Sequence, residues 1–321
     1  MEKGWKNRIT ELLGCDYPII LGPMRLITLG SMAACLSNAG GFGVIGASGL
    51  SREKLIEEIK LAQSLTNKPV GVNIPVYRSN ALDALEVSID MGIKTLYTSA
   101  GDPAKFMNKI KSAGLNVIHK VSNLSMARKA EAAGVDAVVA MGYEAGGHIG
   151  REGITTFCLI PVLAQSLKIP VIASGGIADA NGLLAALALG AEGVEIGTRF
   201  VATKECPVPL FFKETLCAAD LTSTLVLGKE AMPIRILKNE IVAQAAEIGE
   251  AKTDQVMAKQ ENADAFYVGE GGNKHTAVMP CGQVAGLIND VSSVSEVLSK
   301  MINGTKSVLD VLNKMTSGGK L

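Results

Sequence analysis

The sequence predicts an α/β chain folded as an eightfold (β/α)8 barrel, and three observations carry that prediction. Short β-branched runs alternate with amphipathic or alanine-rich stretches from Pro18 to Gly197. A glycine recurs where five of the helix-like stretches give way to a strand, at Gly40, Gly92, Gly114, Gly134 and Gly190, as expected where a helix ends in left-handed geometry. Two consecutive strand ends are punctuated by glycine, Ala173–Ser174–Gly175–Gly176–Ile177 and Ile196–Gly197–Thr198–Arg199–Phe200, and a helical segment from Asp179 to Leu189 lies between them.

Taken in order, the strands are expected at Pro18–Gly22, Gly43–Gly46, Pro69–Ile74, Ile93–Ser99, Leu115–Val121, Val135–Met141, Pro170–Ser174 and Val194–Gly197. Helices are expected over Thr28–Ala39, Ser51–Leu65, Ala81–Met91, Pro103–Ala113, Leu124–Ala133 and Ile154–Leu167, with Asp179 as cap of the next. The strands read as continuous apolar runs because helices cover one face and interior side chains fill the other. A doubly wound sheet would share the alternation, but no early GxGxxG follows a strand, which favours the barrel.

After Phe200 the rhythm changes. Pro207 and Pro209 interrupt the chain, helical patterns follow at Phe211–Ala219 and Ile241–Lys259, and Gly269, Gly271 and Gly272 lead to His275. The expected organisation is a barrel formed by residues 1–205 and a returning tail, 276–321, with residues 206–275 as a helical cap or substrate subdomain. Such a cap would supply the second wall of a site.

Composition excludes several classes of function. The 31 basic and 31 acidic residues of the 321 cancel, so no general electrostatic pull toward nucleic acid or an anionic membrane is expected. No apolar run is long enough to cross a bilayer, and the N-terminus opens on polar residues instead of a signal core, which points to the cytoplasm. The six cysteines form no CxxC pair and no tight set with histidine, so no metal centre is expected.

The paired strand ends suit a phosphate. Gly175, Gly176 and Gly197 bare their backbone N–H groups, and Ser174, Thr198 and Arg199 add side-chain donors; Arg199 reads as a cofactor anchor, with a salt bridge on the barrel rim as the alternative. The loop after the sixth strand, Met141–Gly150, carries Glu144 and Gly147, expected to contact substrate, and His148. Its glycines clear an approach to His148, whose imidazole suits proton transfer near neutral pH; the alternative is a structural histidine bonded to Glu144. His119 reads better as a satisfied interior residue than as a base, and His275 as a solvated loop residue. At the first strand end Gly22–Pro23–Met24 allows close backbone approach before a polarizable side chain, and Arg25 follows. At the third, Asn73 offers donor and acceptor to the amide-like edge of a ring, or merely ends its strand. Gln283 is either a late contact or the start of a helical turn.

In this order, Arg8–Ile9–Thr10–Glu11–Leu12–Leu13, Gly22–Pro23–Met24, Gly71–Val72–Asn73, Glu144–Gly150, Ser174–Ala178 and Gly197–Phe200 resemble the nitronate monooxygenase/type II enoyl-acyl carrier protein reductase superfamily of flavin barrels. The resemblance spans residues 7–290 and implies bound FMN. It implies Gly22, Pro23, Met24 and Asn73 beside the flavin, Gly175, Gly176, Gly197 and Thr198 about its phosphate, and His148 at the reacting centre. Gly146–Gly150 and Gly282–Gly286 resemble the enoyl reductase branch, which implies NADH or NADPH as reductant and an acyl thioester or acyl carrier protein as partner; nitronate oxidation is the alternative. A homodimer is compatible with this reading.

Three positions depart from that branch. Arg25 stands where a small residue is common and would meet an acidic substrate, obstruct the acyl pocket or turn to solvent. Glu195 replaces a common glutamine, so its charge has to be paired, exposed or protonated. Cys206–Pro207–Val208–Pro209 lacks a histidine before the proline.

Overall fold

The computed structural model describes residues 4–229, 232–247 and 273–317. Eight parallel strands form its centre: β1 (Ile19–Leu21), β2 (Gly43–Gly46), β3 (Val70–Pro75), β4 (Thr95–Ser99), β5 (Asn116–Val121), β6 (Ala137–Met141), β8 (Val171–Ser174) and β9 (Gly193–Ile196), with a two-residue strand β7 (Gly147–His148) outside the barrel. They pair in the order β1-β9-β8-β6-β5-β4-β3-β2. The ring closes between its first and last members. The amide of Leu21 donates to the Phe42 carbonyl at 3.0 Å, and that of Phe42 to the Ile19 carbonyl at 2.8 Å. The predicted barrel is therefore the observed one, and every expected strand lies within two residues of its place.

The intervening helices begin where capping chemistry starts them. Ser51 accepts from the amide of Lys54 at the head of α3 (Arg52–Leu65), Asn123 from that of Met126 at α6 (Leu124–Ala132), and Asp179 from that of Gly182 at α8 (Ala180–Ala188). Each such bond satisfies an amide that has no partner within its helix. Gly40, Gly92, Gly114, Gly134 and Gly190 all have positive φ, so the helix-to-strand turns have the left-handed geometry expected of them.

The bottom of the barrel is plugged by apolar side chains. Ile20, Val44, Tyr97, Ile118, Val139 and Ile172 meet inside it and are sealed from below by Ile9 and Leu13 of α1 (Arg8–Leu13). The capping box between Asn7 and Thr10 fixes the direction in which α1 enters.

Beyond β9 the structure departs from a purely helical cap. After α9 (Thr198–Val201) and α10 (Leu210–Cys217), strands β10 (Thr224–Leu227) and β11 (Ile234–Leu237) form an antiparallel hairpin, and β11 pairs with β7. Two four-residue strands give too short an alternation to separate from loop, and the partner of β11 lies far away in sequence. Leu227 and Ile236 pack with Val242 and Ala245 of α11 (Glu240–Glu247) and with Val278 in a small apolar cluster. Val208, Phe212 and Leu216 join the main core instead. The rest of the expected helix Ile241–Lys259, and Gly269, Gly271 and Gly272, lie outside the described residues. The tail returns through a 3-10 turn, Gln283–Leu287, to α12 (Val294–Thr316), which packs on α8 and on α2 (Gly30–Asn38). No described helix is long and apolar enough to cross a membrane.

Candidate active site

The carboxyl ends of the strands open into a cavity of about 440 Å³, a volume typical of small-molecule and cofactor sites. Its first wall is built by the loop after β1 and the end of β3: Gly22, Pro23, Met24, Arg25 and Asn73 all line it. Gly22 packs tightly, since a Cβ there would come within 3.2 Å of the Gly197 amide nitrogen and press on its backbone. Two strand ends therefore meet backbone to backbone. Asn73 is buried, and its Nδ2 donates to the Tyr97 carbonyl at 2.9 Å and to Ser99 Oγ at 3.2 Å. These bonds use only the amide nitrogen, so Oδ1 remains available as an acceptor at the wall.

The adjoining wall is the β8 and β9 end, where Ser174, Gly175, Gly176, Gly197 and Thr198 reach the cavity. Gly175 and Gly176 have φ of 105° and 77°, a conformation that turns successive amides outward and resists any side chain. A Cβ on Gly175 would meet the Ala145 amide nitrogen at 3.0 Å. Thr198 Oγ1 accepts from the amide of Gly282 at 2.9 Å, which leaves its hydroxyl proton to donate. This donor set fits a phosphate; the wall formed by Met24 and Asn73 fits a flat ring with an amide-like edge.

The third wall is the loop after β6. Glu144, Gly147 and His148 line the cavity, with His148 more exposed than its neighbours. The Glu144 carboxylate is engaged by Thr156, through its amide at 2.9 Å and its hydroxyl at 3.0 Å, so it anchors the loop to the start of α7 (Thr156–Ser166). Arg235 on β11 holds the same loop from outside. Its Nη2 donates to the Tyr143 carbonyl at 2.9 Å, its Nη1 to Thr224 at 3.1 Å, and its guanidinium stacks on the Tyr143 ring. Arg235 is invisible to local sequence reading because its partners are 92 and 11 residues away.

Two expected contacts are placed elsewhere. Arg199 does not line the cavity: its Nη1 pairs with Asp290 at 2.7 Å, and its Nη2 donates to the Ala202 and Asp290 carbonyls. The salt bridge ties the returning tail to the barrel rim. Ser292, Lys300 and Arg199 hold the Asp290 carboxyl well below the usual range. Gln283 begins the 3-10 turn, and its amide donates to the Glu144 carbonyl at 2.9 Å, whereas its neighbours Gly282 and Val284 reach the cavity.

Of the other histidines, His119 is buried beside Thr98, 2.8 Å from its hydroxyl, and burial pushes its pKa down to about 4. It is a neutral interior residue. His275 faces Glu240 at 2.7 Å on the surface. The described residues hold no cluster of His, Cys, Asp and Glu able to bind a metal. Burial raises the thiols of Cys15 to about 12 and Cys206 to about 11, so neither is a nucleophile at neutral pH.

A family model for nitronate monooxygenase matches residues 6–304. The chain belongs to the nitronate monooxygenase family. FabK from Thermotoga maritima superposes with a TM-score of 0.91 at 36% identity, covering 97% of this chain and 99% of that one. A hydroxy-methyl-oxo-octahydro-indene-carboxyl-CoA dehydrogenase of Rhodococcus jostii is 29% identical over 91% of this chain and 94% of its own length. A probable nitronate monooxygenase of Staphylococcus saprophyticus is 30% identical over 89% and 94%. This membership makes the chain a flavin-dependent oxidoreductase.

Proposed function

We propose that this chain reduces the activated double bond of an enoyl thioester with bound FMN, using NADH or NADPH. The observation that carries the reading is one cavity in which the glycine cradle at the ends of β8 and β9, the Met24–Asn73 wall and His148 converge. The enoyl branch is favoured by full-length likeness to FabK, an enoyl-acyl carrier protein reductase, and by a relative whose name specifies a coenzyme A thioester.

The chemistry supplied by bound FMN is two-electron transfer from the nicotinamide to the β-carbon of the alkene. The protein's part is to hold and protonate. The amides of Gly175, Gly176 and Gly197 and the Thr198 hydroxyl bind the phosphate, with Ser174 beside them, while Asn73 Oδ1 and the Gly22–Pro23–Met24 backbone fix the ring edge. His148, held out by a loop that Glu144 and Arg235 brace, delivers a proton to the α-carbon directly or through an ordered donor. Gly147 (φ of 70°) permits the turn that brings the imidazole to the mouth. Arg25 lies on the cavity wall, where its guanidinium suits a substrate carboxylate or the phosphate of a thioester carrier.

The family model and the Staphylococcus relative favour nitronate oxidation as the second reading. There His148 orients or deprotonates the substrate. One anaerobic experiment separates the two. Flavin released by denaturation is identified by mass; reduced protein is then mixed with enoyl thioesters, and oxidised protein with alkyl nitronates. Reoxidation by an enoyl thioester, with the saturated product formed, is the expected result. Flavin reduction by nitronate without any enoyl turnover reverses the assignment.

A further inference from the structure

A buried ion pair lies in the cavity floor. Lys120 Nζ approaches Glu195 Oε1 at 2.7 Å, with the lysine side chain 17% and the glutamate 3% exposed. Ser174 Oγ donates to the same oxygen at 2.7 Å, and the Tyr97 hydroxyl donates to Oε2. The Lys120 ammonium also lies 5.8 Å from the centre of the Tyr97 ring. Four strands, β4, β5, β8 and β9, thus converge on one carboxylate. Burial and Glu195 push the Tyr97 phenol well above its usual range, so it stays neutral and the formal charge of the cluster is that of the pair, zero.

A structural plug would not require this arrangement. Two residues below on the same strands, Ile118 and Ile172 fill the barrel with apolar side chains, and packed apolar groups are commonly as stable as a buried ion pair or more so. The pair is instead placed at the cavity: Lys120, Ser174 and Glu195 all line it, and of the charged partners the lysine is the more exposed.

We infer that Glu195 is a positioning residue that pins the Lys120 ammonium in the cavity floor and cancels its charge, so that bound flavin meets a polar but neutral floor. This inference rests on the flavin reading above. Charge near the ring system is one of the means by which a protein tunes a flavin. A lone lysine would favour the more negative, reduced cofactor and raise its midpoint potential; a lone glutamate would lower it.

The test is the midpoint potential of FMN on the full chain, compared across a charge cycle. Glu195→Gln keeps the acceptor oxygen and leaves net charge +1; its potential is expected to rise by at least about 30 mV, a tenfold change for a two-electron couple. Lys120→Met leaves −1 and is expected to lower the potential by a similar amount. The double variant, neutral again, is expected to return to within about a third of that shift from the native value. Single variants that lose thermal stability but keep the native potential overturn the inference and leave a cross-strand staple. Should Glu195→Gln fail to fold, the Lys120→Met potential decides alone, and an unmoved value overturns the proposal. Native protein that holds no FMN defeats the flavin reading and this inference with it; FMN held at unmoved potentials defeats only the inference.

Discussion

The two ends of the barrel interior are built on the same strands and differ in chemistry within two residues. On β5, Ile118 belongs to the plug and Lys120 to the cavity; on β8, Ile172 and Ser174 divide in the same way. Because side chains alternate with period two, residues two apart point to one interior and differ only in depth. The lower layer is sealed by α1 and is apolar save for the Tyr97 hydroxyl, which bonds Glu195 in the layer above. The upper layer lines the open cavity, so its polar groups either bond one another, as around Glu195, or remain available, as at Asn73. Stability is thus expected at the bottom and chemistry at the top, the general division of labour in barrels of this kind.

That division is open to direct attack. The largest effect is expected at the top: His148→Ala should cost about 100- to 10,000-fold in reoxidation of reduced flavin by substrate, with FMN binding kept, as followed by anaerobic stopped flow. An unchanged rate removes His148 from the reaction. At the bottom, Ile118→Ala is expected to lower unfolding free energy by about 2–5 kcal/mol, measured by denaturant titration, while FMN affinity in the folded protein stays near native. A large loss of affinity with little loss of stability would erase the comparison.

His119 sharpens it from the helix-facing side. Its pKa falls to about 4 in the folded protein from about 6.5 when unfolded, so below pH 6.5 the unfolded state takes up the proton first. Stability should therefore fall as pH drops from about 6.5 to 4, by up to about 3 kcal/mol, and His119→Gln should flatten that part of the curve in a pH series of denaturant melts. Gly175→Ala is expected to weaken FMN binding by about tenfold through its strained φ and its contact with the Ala145 amide, as read by fluorescence titration. The smallest effect is expected at the rim: Arg25→Ala should raise KM for an anionic substrate several-fold, by roughly 1 kcal/mol, with kcat little changed. Equal KM values would make Arg25 a bystander.

The sequence by itself determined the barrel, because its signals are local. A β-branched run, an Asp or Ser cap and a glycine that must turn left-handed each act over a few residues, and their repetition fixed the alternation. The glycine cradle at Gly175, Gly176 and Gly197, and the loop bearing His148, were legible for the same reason. Tertiary structure alone decided the rest. It turned Arg199 from a phosphate donor into the partner of Asp290, made Gln283 the start of a turn, paired β11 with β7, and met the Glu195 carboxylate with Lys120, Ser174 and Tyr97. The contacts of Arg199, β11 and Glu195 join groups 21 to 98 residues apart along the chain, brought together by closure of the barrel and return of the tail. A charged side chain carries its charge in the sequence, but its partner is chosen by distance in space.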